Sequence, residues 1–156
     1  MEPVKSKGID KIMNTVHDMY RSKGIANMVE VPQEFLFHRE NGSFKPQERN
    51  DGDYVGCVDG VAVAVSVITT IYTAMHGHNF QQYQIDFLRD WEKCGGKAFL
   101  LLYYVPKGFA VTPFSKWEEV ADGMQLSDIP TEARIRRQGN EPVDYMKAVK
   151  WFLAKQ

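Results

Sequence analysis

Residues 52–70 read GDYVGCVDGVAVAVSVITT, the most informative pattern in the chain for its architecture. Two apolar runs flank Asp59 and Gly60, a dipeptide that favours a type I′ turn because both central residues adopt positive φ. The stretch therefore predicts a β-hairpin over residues 53–69. Its second strand is apolar on both faces except at Ser66, which is typical of a central strand covered on both sides. We therefore expect an α/β fold with a mixed central sheet flanked by helices.

Patterns on both sides of the hairpin predict the flanking elements. Apolar side chains recur at helical spacing in three segments, residues 8–23, 79–96 and 143–155. Ser115 and Glu118 are spaced as a capping box, which predicts a short helix to about residue 122. Further strands are predicted at residues 27–31, 34–38, 98–105 and 109–113. The segment RENGSFKPQERNDG, residues 39–52, is polar and rich in turn formers, and a long loop is predicted there.

The composition is that of a single globular domain, residues 1–156. Hydrophobic residues make up 44% and charged residues 25%, which excludes disordered, collagen-like and coiled-coil chains. No apolar run approaches the roughly 20 residues that a membrane span needs, and the first residues lack the apolar core of a signal peptide. Cys57 and Cys94 fit neither a disulfide framework nor a zinc pattern. We expect a cytoplasmic protein with no membrane partner.

Charge is nearly balanced, with 19 basic and 20 acidic residues and a net charge of −1. A polyanionic partner would therefore be bound by a local basic patch and not by the field of the whole molecule. Two groups of residues are candidates for such a patch: Lys45 and Arg49 in the predicted loop, and the cluster Arg134, Arg136 and Arg137. Acidic residues alternate with the loop cations, so a solvated mixed-charge loop is the alternative interpretation there.

Other patterns carry little chemistry. His76 and His78 lie in a polar segment without a third or fourth ligand nearby in sequence, so a metal site is not predicted. The three tryptophans occupy apolar helical positions that are typical of core side chains. Ser66, taken alone, is a small hydroxyl in a core strand that can bond to backbone. Neither a phosphate-binding glycine loop nor a dinucleotide fingerprint is present.

The polar residues of the hairpin have an informative spacing. Asp53 begins its first strand, Ser66 follows thirteen residues later, and Ile68 lies on the same face as Ser66. With the glycine and the turn between them, these residues resemble the core of the PD-(D/E)XK nuclease superfamily, in its RecU-type Holliday-junction resolvase branch. The resemblance extends over residues 7–122 and includes a glutamine-bearing helix, where Gln84 matches the family's position, and an acidic residue on the first helix, matched by Asp10.

This resemblance implies a restriction-endonuclease-like core and a catalytic set of Asp, Glu and Lys. In that set the carboxylates hold Mg²⁺, which activates water, and the lysine neutralises developing charge. Position by position, Asp53 is the aspartate, Ser66 replaces the glutamate and Ile68 replaces the lysine. Serine and isoleucine supply no charge. Asp53 and Gln84 are therefore the remaining catalytic-motif residues, Asp53 is the one weak metal ligand, and Mg²⁺ is expected as a cofactor only if activity survives.

The resemblance also implies the partners. We expect a homodimer that binds branched or double-stranded DNA in recombination or phage-type DNA processing, with weak or lost nuclease activity. One alternative is an active Mg²⁺-dependent, structure-specific endonuclease whose catalytic groups have moved, with Asp51, Glu34 or Lys97 as substitutes. The other is a nuclease-derived protein that binds and regulates another protein.

Overall fold

The computed structural model describes residues 8–31, 35–38, 43–46, 52–137 and 139–156. Within these ranges the helices are α1 (Ile9–Lys23), α2 (Gln82–Lys93), α3 (Trp117–Ala121) and α4 (Met146–Leu153). The strands are β1 (Asn27–Glu30), β2 (Phe35–His38), β3 (Ser43–Pro46), β4 (Asp53–Val58), β5 (Val61–Thr70), β6 (Ala74–His76), β7 (Lys97–Tyr104), β8 (Gly108–Pro113), β9 (Asp122–Gln125) and β10 (Arg134–Ile135). In this described part of the chain, no helix is long and apolar enough to span a membrane.

The central sheet has six strands in the order β1-β4-β5-β7-β8-β10. The β5–β7 pair is parallel, and the other neighbours run antiparallel. The remaining strands form two separate two-stranded ladders, β2-β3 and β6-β9. The predicted α/β class with a mixed, helix-flanked sheet is thereby confirmed.

The β4–β5 hairpin adopts the predicted turn. Asp59 and Gly60 have φ values of 50° and 78°, the positive pair that a type I′ turn requires. Gly56 lies where β1 crosses close to β4, and a Cβ there would collide with the Asn27 carbonyl. A side chain at position 56 would therefore push the edge strand off the sheet.

The sheet separates two apolar layers, and β5 contributes to both. Residues 63–70 of β5 are all buried, which confirms a central strand covered on both faces. Val63, Val65 and Val67 pack on the face that α1 and α4 cover. Ala64 and Ile68 pack on the opposite face, with Ile85 and Leu88 of α2. Alternation along one strand thus places position 66 on the α2 face.

Three local predictions need correction. Strand β3 lies inside the segment predicted as a loop over residues 39–52, because its partner β2 supplies the hydrogen bonds that a four-residue run cannot signal alone. Ser115 does not cap a helix: it lies in a 3₁₀ turn, Phe114–Lys116, and α3 begins at Trp117 without a side-chain cap. Helix α2 begins at Gln82, not at residue 79, because Asn79 ends a separate 3₁₀ turn, Gly77–Asn79, and Phe80 and Gln81 are extended.

Candidate functional site

Asp53 and Ser66 face each other across the β4–β5 pair. They are direct partners in the antiparallel register, so their side chains lie on the same face of the sheet. Asp53 is 2% exposed and Ser66 is fully buried. Ile68 is two residues further along β5 and is also buried on this face. The three hairpin positions singled out in the sequence are therefore adjacent in space.

Gln84 joins this group from helix α2. Its Nε2 donates a hydrogen bond of 3.1 Å to Asp53 Oδ1, and both side chains are buried. The amide is oriented by its other end, because Gln84 Oε1 accepts a hydrogen bond from the backbone N–H of Gln81 at the N-cap. Gln84 thus lies in the first turn of α2, where the partial positive charge of the helix N-terminus favours a nearby carboxylate.

Two further residues of the sheet share the row and were not singled out in the sequence. Ser66 is in register with Leu100 on β7, and Leu100 is in register with Thr112 on β8. The Ser66 Oγ and Thr112 Oγ1 atoms are buried and have no hydrogen-bond partner among the described residues. Their proximity depends on pairing between strands far apart in sequence, so no local pattern indicates it. An apolar side chain therefore separates two unsatisfied hydroxyls in the middle of the row.

The described residues at this site do not fit a divalent cation. Mg²⁺ takes oxygen ligands, with carboxylates supplying the negative charge. Asp53 has one of its oxygens hydrogen-bonded to an amide, Ser66 is neutral, and Ile68 is apolar. Across the residues that the structure describes, no group of three or more His, Cys, Asp and Glu side chains converges on a point. The arrangement supplies neither the charge nor the ligand number for a metal-activated water.

The arginine cluster is divided by the fold. Arg134 Nε donates to the Ile129 carbonyl at 2.7 Å, and Arg137 Nη1 donates to the Glu141 carbonyl at 3.2 Å. Arg136 is exposed and lines, with Arg134, a cavity of about 400 Å³. That cavity is also lined by three acids, Glu132, Glu141 and Asp144. The arginines therefore do not form a purely cationic patch, because carboxylates from the same stretch of chain line the cavity with them.

The remaining candidate residues have limited structural definition. Lys45 lies in β3, where its backbone pairs with Leu36, and its side chain lies outside the described residues. Arg49, Asp51 and Glu34 also lie outside the described residues. The predictions that involve these four side chains therefore stay predictions.

Comparison with known proteins identifies the family. A family model described as "Recombination protein U" matches residues 5–151. The chain belongs to the recombination protein U family. No curated protein sequence gives a match. Among solved structures, a similar one is Hjc of Archaeoglobus fulgidus, described as a Holliday junction resolvase from an archaeal hyperthermophile. It shares 9% sequence identity, with a TM-score of 0.46, over 76% of this chain and 97% of that chain.

Family membership confirms the resemblance read from the hairpin. The matched residues include Asp53, Ser66, Ile68 and Gln84, together with the arginine cluster. Within this range the chain has the β4–β5 hairpin and the hydrogen bond between Gln84 and Asp53, with a neutral and an apolar side chain at two positions of the predicted motif.

Proposed function

We propose that this protein binds branched DNA in recombination or phage-type DNA processing and that its nuclease activity is weak or lost. Its membership of the recombination protein U family supports the DNA partner. The observation that carries the loss of cleavage is the Asp53–Ser66 pair, a carboxylate facing a neutral hydroxyl at the centre of the site. We also propose that the protein acts as a homodimer, because a four-way junction offers a closed two-fold target.

The chemical argument concerns charge. Phosphodiester hydrolysis builds negative charge on the phosphate, and catalysis depends on groups arranged in advance to stabilise it. Ile68 has no hydrogen-bond donor, and Ser66 has no charge. Both side chains are buried, so water does not compensate for them. The described side chains at this site can therefore orient a DNA backbone, but they cannot offset the negative charge that develops on the phosphate.

Gln84 and Asp53 have a structural role in this proposal. A buried carboxylate is costly unless it is hydrogen-bonded, and the Gln84 amide supplies one of those bonds. The same contact fastens the first turn of α2 to the start of β4. In this proposal the hydrogen-bonded pair is a structural link between helix and sheet, and it maintains the shape of the surrounding surface.

The test is a gel-shift and cleavage assay with a labelled four-way junction and a sequence-matched linear duplex. Each is incubated with the purified protein at two salt concentrations, with and without Mg²⁺ or Mn²⁺. Junction binding that weakens with salt, without cleavage, is the expected result. Symmetric cleavage would contradict the loss of activity and direct attention to Asp51 and Glu34 as relocated ligands. Absence of both binding and cleavage would contradict the DNA function and favour a protein partner.

A triple variant tests the basic patch. Changing Arg134, Arg136 and Arg137 together to Ala is expected to lower the salt dependence of binding, because each lost phosphate contact removes about 0.9 from the slope of log K against log salt. Lys155→Ala, on an exposed lysine that packs on the Trp151 ring, is the matched control and should leave the slope unchanged. An unchanged slope in the triple variant would remove these arginines from the binding surface.

A further inference from the structure

The turn that follows β5 presents two large apolar side chains to solvent. Ile71 is 56% exposed and Tyr72 is 52% exposed. Among the described residues, Val29 is the other large hydrophobic side chain in this class. Turns normally carry small or polar residues, so an exposed apolar pair directly after the strand that carries Ser66 is a candidate contact surface. The pair lies three and four residues beyond Ile68, at the carboxyl end of the strand that carries Ser66.

The backbone of this turn is held firmly beneath the exposed side chains. Thr70 is fully buried, its Oγ1 donates to the Ala74 carbonyl at 3.4 Å, and it accepts a hydrogen bond of 3.1 Å from the Tyr72 N–H. The Thr70 carbonyl accepts from the Val105 N–H at 2.9 Å. Thr70 thus stabilises the turn internally and also bonds it to the residue that directly follows strand β7. Tyr72 is therefore presented in advance of any binding event, which reduces the entropy lost when a ligand binds.

The surroundings of the turn carry positive charge. A cavity of about 250 Å³ begins at Thr73, directly after Tyr72, and its lining includes Lys107 and Arg134 but no Asp or Glu among the described residues. Arg134 is held in place by its hydrogen bond to the Ile129 carbonyl. The nearby Asp128 carboxylate accepts a hydrogen bond of 2.8 Å, through Oδ2, from the backbone N–H of Gln125. Arg134 also lines the larger cavity beside Arg136, where three acids accompany the cations.

We propose that Tyr72, supported by Ile71, stacks on an unpaired base at the branch point of a DNA substrate, while Lys107 and Arg134 contact the adjoining phosphates. An exposed aromatic residue directly before a cavity whose lining holds two cations and no carboxylate matches the two chemical parts of a nucleotide. This inference rests on the proposed function and deepens it, because it identifies which residues distinguish branched DNA from duplex. A fully paired duplex has no free base to stack on, so Tyr72 would add affinity for branched or single-stranded substrates alone.

The experiment measures fluorescence anisotropy with three labelled DNAs: a junction with two unpaired thymines at its centre, a single strand, and a matched duplex. Wild type is compared with Tyr72→Ala, with Tyr72→Phe, which keeps the ring, and with Val29→Ala, an equally exposed apolar control. Tyr72→Ala is expected to weaken binding to the junction and the single strand at least about fivefold, with duplex binding unchanged. Tyr72→Phe and Val29→Ala should stay within about twofold of wild type, since a phenyl ring still stacks. Thermal unfolding checks that every variant is folded.

A second readout places the ring at the base. With 2-aminopurine in place of one unpaired base, stacking on Tyr72 should quench its fluorescence in wild type and in Tyr72→Phe, and the quench should be lost in Tyr72→Ala. Equal losses of affinity on all three DNAs, or an unchanged junction affinity in Tyr72→Ala, would overturn the inference while leaving the proposed function in place. If wild type binds none of the DNAs, the proposed function itself fails before any substitution is compared.

Discussion

The two faces of the central sheet treat buried polar groups differently. On the face under α1 and α4, the polar side chains form a paired network of two hydrogen-bonded groups whose Tyr20 and Tyr145 rings are in contact. His17 Nε2 lies 2.6 Å from the Tyr145 hydroxyl, and Tyr20 donates to Asp144 Oδ1 at 2.7 Å. Tyr20 also accepts a hydrogen bond from the Met146 N–H. On the face under α2, Asp53 and Gln84 are paired, but the Ser66 hydroxyl beside them has no partner among the described residues. Paired polar groups indicate a structural network, whereas an unpaired hydroxyl at a motif position indicates a replaced functional group.

The largest test of this comparison is the pH dependence of stability. Burial, together with the nearby positive charge of Arg21, lowers the pKa of His17 from 6.5 to about 4. Between those values the unfolded chain binds a proton on this ring that the folded chain does not. The free energy of unfolding is therefore expected to fall by about 3 kcal/mol as pH drops from 7 to 4 because of His17.

The measurement is urea unfolding at a series of pH values. The control is the double variant His17→Leu with Tyr145→Phe, which removes both partners of the hydrogen bond and so leaves no orphaned group. Its stability should decline less steeply over the same pH range. Parallel curves for the two proteins would show that His17 does not titrate as the paired network requires.

The α2 face offers the next largest effect. Ser66→Glu with Ile68→Lys restores a second carboxylate and a cation at the predicted motif positions, so the variant is expected to bind Mn²⁺ where wild type does not. Metal at a hundred times its Kd stabilises a folded protein by about 2.7 kcal/mol, so the melting temperature should rise with Mn²⁺. Calorimetric titration gives the binding directly.

The controls distinguish a variant that fails to fold from a wrong assignment of the two motif positions. Ser66→Glu alone should bind Mn²⁺ even if the buried lysine of the double variant prevents folding, because Asp53 and Glu would face each other. Variants that are folded by circular dichroism but show no Mn²⁺ binding would contradict the assignment of these two positions.

Much of this site could be predicted from local sequence because its parts lie close together in the chain. The hairpin turn at Asp59 and Gly60, the alternation along β5 and the thirteen-residue spacing from Asp53 to Ser66 are all local patterns. Gln84 required the family resemblance, because its contact with Asp53 spans 31 positions of the chain.

The features that could not be predicted depend on distant contacts. Strand β10 pairs with β8, more than twenty residues earlier in the chain, and Ser66 comes into one row with Thr112 only through the pairing of β5, β7 and β8. No sequence pattern indicated that Tyr72 is exposed, because the exposure of an apolar side chain depends on whether distant parts of the chain pack against it. Sequence periodicity predicts the helices and strands, whereas tertiary packing determines which of their polar residues come into contact.

A third prediction concerns the paired network alone. Tyr20→Phe removes one hydroxyl that both donates to Asp144 and accepts from the Met146 N–H, and it leaves that buried N–H without its partner. A loss of about 2 kcal/mol in the free energy of unfolding is expected, measured by urea denaturation. Tyr72→Phe removes an exposed hydroxyl and should change stability by less than about 0.5 kcal/mol. A loss of similar size in both variants would mean that hydroxyl removal is costly regardless of pairing.

The smallest expected effect completes the contrast. Ser66→Ala and Thr112→Val each remove a buried hydroxyl that has no partner among the described residues, so no hydrogen bond is lost and an unsatisfied group is relieved. Each change should leave the free energy of unfolding within about 0.5 kcal/mol of wild type or raise it. The same urea titrations as for Tyr20→Phe provide the comparison. A loss of 1 kcal/mol or more, taken as about the value of one ordinary hydrogen bond, would show that the removed hydroxyl is paired in solution, by water or by a ligand.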